Sequence, residues 1–139
     1  MERVHYTTIF SEEALTDALE RKLVTKRKHP TLPLYIYNYS PEALWSWEWS
    51  DVILNCRGLI LDEDGFVTGR SFPKFFSFEQ LNGVLPEGQF EVQEKLDGSM
   101  LICCNYQGNL VIATRGSFTS DQVKCSEKFL PTDFLPVEG

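Results

Sequence analysis

Residues 52–72, VILNCRGLILDEDGFVTGRSF, decide the fold of this chain. Two largely apolar runs, Val52–Leu61 and Phe66–Phe72, flank the turn-forming sequence Asp62-Glu63-Asp64-Gly65. Apolar runs of this length on either side of an Asp-Gly turn are typical of a β-hairpin. The segment therefore predicts two neighbouring antiparallel strands joined by a tight turn.

Strand-like segments continue on both sides of this hairpin. Upstream, Leu34–Tyr39 has the β-branched and aromatic residues that favour a strand. Downstream, Asp97-Gly98 and Gln107-Gly108-Asn109 are turn sequences. They divide the chain into three further predicted strands, at residues 89–95, 99–106 and 110–115.

The N-terminal part predicts two helices. Ser11 is a candidate N-cap for a surface helix over residues 11–27, which has a stripe of leucines on one face. Ser40 followed by Pro41 predicts a short helix over residues 41–49. We therefore expect an α+β fold, in which an N-terminal helix precedes an antiparallel β-rich core, as one domain over residues 1–139.

Composition excludes several functional classes. The chain is 42% hydrophobic and 24% charged, as expected of a soluble globular protein. No apolar run reaches the length of a membrane span, and no apolar signal region follows Met1, so we expect a cytoplasmic protein. The net charge of −7 argues against a protein that coats nucleic acid, but it allows a local basic pocket.

The four cysteines indicate no metal site. They stand at Cys56, Cys103, Cys104 and Cys125, without the C-x-x-C spacing of zinc ligands. Neither histidine lies near a cysteine in sequence. We expect reduced thiols and assign no metal ligand.

The segment Glu94-Lys95-Leu96-Asp97-Gly98-Ser99 contains the candidate chemistry. A lysine at a strand end, followed by a glycine turn, places its amine where a ligand can approach the backbone closely. Nearby cations or burial lower the pKa of a lysine and populate its nucleophilic neutral amine. The alternative is that Asp97-Gly98 is only a hairpin turn beside a solvated lysine.

Lys95-Leu96-Asp97-Gly98 resembles the K-x-D-G nucleotidyl-lysine motif of the covalent nucleotidyltransferases, which include DNA ligases, RNA ligases and mRNA capping enzymes. Other segments resemble the phage-type RNA ligase 1 family. They correspond to its Y-N-Y strand, its C-R-G strand, its P-x-x-K-F-F segment (here one residue shorter) and its K-G-S segment (here with arginine for lysine). In chain order these segments are Tyr37-Asn38-Tyr39, Cys56-Arg57-Gly58, Phe72-Pro73-Lys74-Phe75-Phe76 and Thr114-Arg115-Gly116-Ser117.

The resemblance implies a nucleotidyltransferase core and an ATP-dependent RNA ligase, an enzyme type that serves RNA repair. Lys95 would attack the α-phosphate of ATP, release pyrophosphate and carry AMP. AMP would pass to an RNA 5′-phosphate, and an RNA 3′-hydroxyl would then displace it. ATP and Mg²⁺ are the implied cofactors, and RNA ends are the implied partners. For a viral protein, the implied compartment is the host cytoplasm.

The resemblance also implies roles for individual residues. Arg57 and Lys74 would contact ATP, Tyr37 would border the nucleotide, and Arg115 would support the phosphates or the RNA end. Fixed cations suit the charge of a phosphoryl group. Arg57 and Lys74 each lie in an apolar run that can bury the carbon stem. We expect these cations to lower the pKa of Lys95.

The residues around Lys95 have two interpretations each. Glu94 is either an acceptor for the adenine amine or a solvated strand residue. Asp97 either orients the turn or a metal-bound water, or it only forms the turn. Gly98 is expected to let the nucleotide approach. The tryptophans Trp45 and Trp47, with Trp49, are a candidate stacking platform, although we expect two of the three to pack beneath the short helix.

The later motifs of the family, including its metal-binding glutamates and paired lysines, have no match here. We therefore expect a partial domain that lacks them and binds nucleotide weakly. Three alternatives stay open: a DNA ligase or capping enzyme that shares only K-x-D-G, a β-domain of different descent with accidental matches, and a fragment of the fold without turnover.

Overall fold

A four-stranded antiparallel sheet and a separate β-hairpin form the framework of the structure, a computed structural model that describes residues 2–138. A 3-10 turn, Tyr6–Thr8, precedes helix α1. In chain order the elements are α1 (Glu12–Glu20), β1 (Val24–Lys28), β2 (Leu34–Tyr39), α2 (Pro41–Ser46), α3 (Asp51–Asn55), β3 (Arg57–Asp62), β4 (Val67–Gly69), β5 (Ile102–Tyr106), β6 (Asn109–Ala113) and α4 (Asp121–Ser126).

The strands follow one another as an antiparallel meander. The first sheet has the order β1-β2-β3-β4, and β5 pairs with β6 in the second. In the central pair, Leu34 lies opposite Asp62 and Tyr37 opposite Leu59, with a register shift between Tyr37 and Asn38. The α+β class and the antiparallel arrangement expected from the sequence are confirmed.

The central strands β2 and β3 are buried on both faces. Tyr37 and Leu59 pack on one face, beneath α1 and α3. Ile36 and Ile60 pack on the other face, against the β5–β6 hairpin. Full burial of such a side chain stabilises the fold by about 1.5–3 kcal/mol. Because successive side chains of a strand point to opposite faces, β2 and β3 contribute to both cores. The core that Ile36 and Ile60 form with the hairpin holds the two sheets together.

The prediction of a helix over residues 11–27 is wrong in its second half. Ser11 is the N-cap, and its Oγ accepts a hydrogen bond from the Ala14 N–H at 3.1 Å. The helix ends at Glu20, however, and Lys22 turns the chain with a φ of 58°. Residues 24–28 then pair with residues 35–39 of β2. Strand pairing outweighs the helical pattern because it satisfies the backbone hydrogen bonds of both segments.

The predicted strand over 52–61 is also half wrong. Its first part forms α3, which buries Val52 and Ile53 in the core, and the strand begins only at Arg57. Of the predicted strand 66–72, only Val67–Gly69 forms a strand, β4. The short helix after Ser40 is confirmed, with its end at Ser46.

The predicted strand over 89–95 is absent from the structure. Residues 79–98 are all exposed and contain no strand. Phe90 and Val92, for example, are 85% and 88% exposed. Alternating residues favour a strand only where a neighbour accepts the backbone hydrogen bonds, and no strand in the described residues pairs with this segment.

The helices of the described residues are short. The longest, α1, has nine residues, whereas crossing a bilayer takes about 20 apolar residues. Within residues 2–138, no helix is long and apolar enough to span a membrane.

His29 closes the turn between β1 and β2. Its Nδ1 accepts hydrogen bonds from the N–H groups of Thr31 and Leu32, at 3.2 and 3.0 Å. Its ring packs edge-on against Phe118, with the ring centroids 4.8 Å apart. Partial burial lowers the pKa of His29 below its ordinary value of 6.5.

We expect the stability of the fold to decrease as the pH falls below about 6.5. A protonated Nδ1 cannot accept the two N–H groups, and the pKa of His29 is lower in the folded state. The stabilisation is therefore complete above the unfolded-state pKa and is lost as the pH falls toward the folded-state value. Thermal unfolding between neutral and mildly acidic pH measures this slope. His29→Asn is the control, since asparagine can accept the same N–H groups but does not titrate. Equal slopes for the two proteins would contradict the prediction.

Candidate functional site

A cleft of about 560 Å³ opens where β2 ends, β3 begins and the chain leaves β6. Three arginines, Arg27, Arg57 and Arg115, line it together with serine and threonine hydroxyls. None of the described residues that line the cleft is Asp or Glu, although the whole chain has a net charge of −7. A concave surface lined by cations and free of carboxylates favours an anionic ligand.

Gly58 brings two of these arginines to the same cleft. Its φ is +73°, a left-handed conformation that side chains disfavour. A Cβ atom on Gly58 would overlap Ile102 Cδ1 and would lie 3.3 Å from the backbone oxygen of Arg115. Because the glycine has no side chain, the start of β3 passes directly against the chain after β6. Arg57 and Arg115 consequently line the same cleft.

Arg57 is half-buried and held by the segment that follows β4. Its Nη1 donates to Ser71 Oγ and to the Phe72 carbonyl, both at 3.2 Å, and lies 3.7 Å from Met100 Sδ. Its guanidinium carbon is 5.6 Å from the centre of the Phe75 ring. These contacts use Nη1 alone, so within residues 2–138 the Nη2 and Nε donors stay available to a ligand.

Arg115 is oriented by Tyr39. Its Nη1 donates to the Tyr39 hydroxyl at 2.9 Å, and its guanidinium carbon lies 4.9 Å from the centre of the same ring. A guanidinium held both by a hydrogen bond and by the ring face has little freedom to move. The Tyr39–Arg115 pair is therefore a fixed cationic element of the cleft.

Lys74 does not line the cleft, but it lies within range of the charges of both arginines. Its backbone N–H donates to the Leu54 carbonyl at 2.8 Å, and its Nζ donates to the Phe75 carbonyl at 2.7 Å. Burial lowers the pKa of Lys74, and the positive charges of Arg57 and Arg115 lower it further. Of the three cations expected from the sequence, the structure thus brings Arg57 and Arg115 into one cleft and places Lys74 within range of their charges.

Lys95 lies outside the cleft. Together with Glu94, Asp97 and Gly98 it belongs to the exposed segment before β5. Ser99, directly after Gly98, does line the cleft. Lys95 precedes Ser99 by four positions, and a chain of that length spans at most about 14 Å. The structure therefore places the candidate nucleophile within about 14 Å of a residue that lines the cleft, but not in the lining itself.

Tyr37 lies on the other face of the sheet from the cleft. It is 6% exposed and packs in the core beneath α1, and burial raises its pKa to about 12. Tyr39 lines the cleft in its place. The bulge between Tyr37 and Asn38 shifts the register of β2 against β3 near the end of β2. Bulges are common next to functional sites.

Three residues of the cleft are not predicted as site residues from the sequence. Arg27 ends the predicted helix over residues 11–27 but lies on β1 in the structure. Tyr39 and Asn38 were noted only as parts of the Y-N-Y segment. Asn38 Oδ1 is buried and has no hydrogen-bond partner among the described residues. A signal for Asn38 was present, because a polar residue interrupts an otherwise aromatic and aliphatic strand.

The donors of the cleft suit phosphate groups and do not suit a metal ion. Arginine and hydroxyl groups donate hydrogen bonds to phosphate oxygens. Magnesium in proteins is bound through carboxylates and substrate phosphates. No group of three or more His, Cys, Asp or Glu side chains in residues 2–138 could hold a metal. The cleft therefore suits a ligand that carries phosphate groups, and the described residues that line it offer no carboxylate to magnesium.

Comparison with known proteins gives one distant relationship. No protein-family model matches the chain. The chain is 25% identical over 136 residues to a protein of Autographa californica nuclear polyhedrosis virus named "Putative bifunctional polynucleotide kinase/RNA ligase". The match covers 89% of this chain and 19% of the viral protein, so the chain spans about a fifth of that protein's length. The similarity supports a relationship to an RNA-ligase protein and no narrower assignment.

We expect Gly58→Ala to destabilise the fold by about 2–4 kcal/mol. About 1–2 kcal/mol comes from the left-handed φ, and the rest comes from overlap with Ile102 and the Arg115 backbone. Gly108→Ala is the matched control, because Gly108 has a φ of +81° but open space around it. Urea unfolding of both variants isolates the cost of the overlap. A Gly58 variant no less stable than the Gly108 variant would show that the close approach is unimportant.

Proposed function

We propose that this chain is the adenylyltransferase part of an ATP-dependent RNA ligase, with Lys95 as the residue that accepts AMP. One observation carries the proposal. A carboxylate-free cleft with Arg57 and Arg115 in its wall is bordered by Ser99, the residue that directly follows the Lys95–Gly98 motif. The distant relative named as an RNA ligase supports the same enzyme class.

The cations of the cleft would hold the triphosphate. Arg57 offers its free guanidinium donors, and Arg115 is already oriented by Tyr39. Lys74 adds a third positive charge beside them. A charge-assisted hydrogen bond contributes about 1.5–3 kcal/mol, so two or three of them are enough to position a nucleotide.

The first chemical step is a phosphoryl transfer to nitrogen. The neutral Lys95 amine attacks the α-phosphorus of ATP, and an N–P bond forms while the bond from that phosphorus to the bridging oxygen breaks. Pyrophosphate leaves with the electron pair, and the proton of the nitrogen passes to solvent. Arg57 and Arg115 would offset the charge that develops on the phosphate oxygens.

Lys95 must approach the cleft for this step. Its segment is exposed and unpaired in the described structure, and Gly98 has a φ of +146° with open space around it. A movement about Gly98 would bring the amine over the cleft while Ser99 keeps its place. Asp97 would then shape the turn, and Glu94 would be placed to accept a hydrogen bond from the adenine amine.

The later steps concern RNA. AMP on Lys95 would pass to an RNA 5′-phosphate, and an RNA 3′-hydroxyl would displace AMP to seal the strand. The identity of the polymer rests on the name of the viral relative and on the C-R-G and K-F-F segments. Preference for GTP would instead indicate a capping enzyme, and preference for nicked duplex DNA would indicate a DNA ligase.

Labelling with ATP tests the role of Lys95. After incubation with α-labelled ATP and magnesium, we expect one AMP adduct per chain, located at Lys95 by mass spectrometry. Lys95→Ala should abolish the label, because residues 75–123, which include the turn that borders the cleft, contain no other lysine. Lys128→Ala, which changes another exposed lysine, should leave it intact. Label on a different residue, or retained label in Lys95→Ala, would remove Lys95 from its assigned role.

Removal of single arginines tests the phosphate grip. We expect Arg57→Ala and Arg115→Ala each to weaken ATP binding about 10- to 150-fold, the loss of one charge-assisted contact. Tyr39→Phe should cost less, because it frees Arg115 without removing its charge. Arg70→Ala is the control, since Arg70 is exposed, donates to Asn55 and does not line the cleft. Calorimetric titration at fixed salt measures all four; equal losses for Arg70 and Arg57 would mean that the cleft is not the ATP site.

A further inference from the structure

A row of aromatic rings extends from the cleft to the surface. Tyr39, which holds Arg115, packs edge-on against Trp49, with centroids 5.5 Å apart. Trp49 packs in the same manner against Trp47 at 5.8 Å. Phe76 contacts both tryptophans, at 5.3 and 5.6 Å. The rings thus form one continuous cluster that begins at the arginine of the cleft and ends at Trp47.

Trp47 is the solvent-facing end of this row. It is 54% exposed, whereas Trp49 is packed against the core. The expectation that two of the three tryptophans pack beneath α2 is wrong, because Trp45 is exposed as well, at 88%, and only Trp49 packs against the core. Trp47 also has a left-handed backbone, with a φ of 55°. A left-handed residue commonly ends a helix, as Trp47 ends α2, but bulky residues rarely adopt this conformation.

Cations lie among the rings. Lys74 Nζ is 4.6 Å from the centre of the Phe76 ring and 5.7 Å from that of Trp49. Arg115 lies over Tyr39 at the other end of the row. The nearest acid in sequence, Glu48, accepts two hydrogen bonds from Arg21 at 2.8 and 2.7 Å. Aromatic platforms interleaved with cations are typical of sites for single-stranded nucleic acid.

We propose that Trp47 is a stacking platform for an unpaired base of single-stranded RNA whose phosphates follow Lys74 and Arg115 into the cleft. The inference rests on the proposed function for the identity of the polymer, and it adds a path for the strand beyond the reacting end. Charge complementarity favours RNA over an apolar protein segment, because the cations of the row and of the carboxylate-free cleft match a chain of phosphates.

Binding of a short, unstructured RNA with a 5′-phosphate tests this surface. Without ATP, fluorescence anisotropy should show that Trp47→Ala weakens binding about five- to a hundredfold, the value of one stacked base. Trp47→Phe should restore most of the affinity. Trp45→Ala is the matched control: it removes a more exposed tryptophan two positions away that contacts no ring among the described residues, and it should have no effect.

Two further measurements separate stacking from folding and from charge. Trp47→Gly removes the same ring as Trp47→Ala but relieves the left-handed backbone, so it should be more stable than Trp47→Ala while RNA affinity falls by the same amount. An abasic strand of the same length and charge should bind the parent chain as weakly as intact RNA binds Trp47→Ala.

Three results would overturn the proposal. Trp47→Ala could leave RNA affinity unchanged, or it could weaken the binding of intact and abasic strands equally. It could also change the self-association of the chain, measured by sedimentation, while RNA binding stays intact. The last result would make Trp47 a protein contact. Because the assay contains no ATP, its outcome does not depend on adenylylation of Lys95. Failure of the catalytic proposal and failure of this one are therefore distinguishable.

Discussion

The close approach at Gly58 is the constraint on which the rest of the structure depends. With no Cβ and a left-handed φ, this residue lets β3 lie against Ile102 and the backbone of Arg115. The second sheet can then seal the outer face of β2 and β3, where Ile36 and Ile60 are buried. The same approach sets Arg57 and Arg115 in one cleft, so a packing requirement and the cationic site have a single origin.

The central strands divide the molecule into a structural face and a ligand-facing end. Tyr37 belongs to the core beneath the helices. After the bulge, Asn38 and Tyr39 both line the cleft. A bulge adds twist and changes the direction of the chain without breaking the sheet. One strand can therefore anchor the core along its length and still present polar groups to a ligand at its end.

The sequence predicts those parts of the fold that local chemistry controls. The cap and proline before α2, the turn after β3 and the strand β2 follow from residue types alone. The motifs point to Arg57, Lys74 and Arg115; the structure brings the two arginines into one cleft, with Lys74 within range of their charges. Strand β1 and the absence of a strand over 89–95 depend on which neighbour is available for pairing, and a single segment does not contain that information. Arg27 was missed for the same reason.

The distribution of charge limits how this chain can bind a polyanion. The other face of the sheet has a pocket lined by Glu12, Asp62, Glu63 and Asp64, and the net charge of −7 repels phosphate elsewhere on the surface. Only a few cations therefore contribute to affinity, and a strand gains little from lying along the protein. Under that restriction, stacking of a base on an exposed ring adds binding energy without adding positive charge. If the proposed function holds, an acidic protein with a small basic cleft and an adjoining aromatic row would hold the end of an RNA strand rather than coat its length.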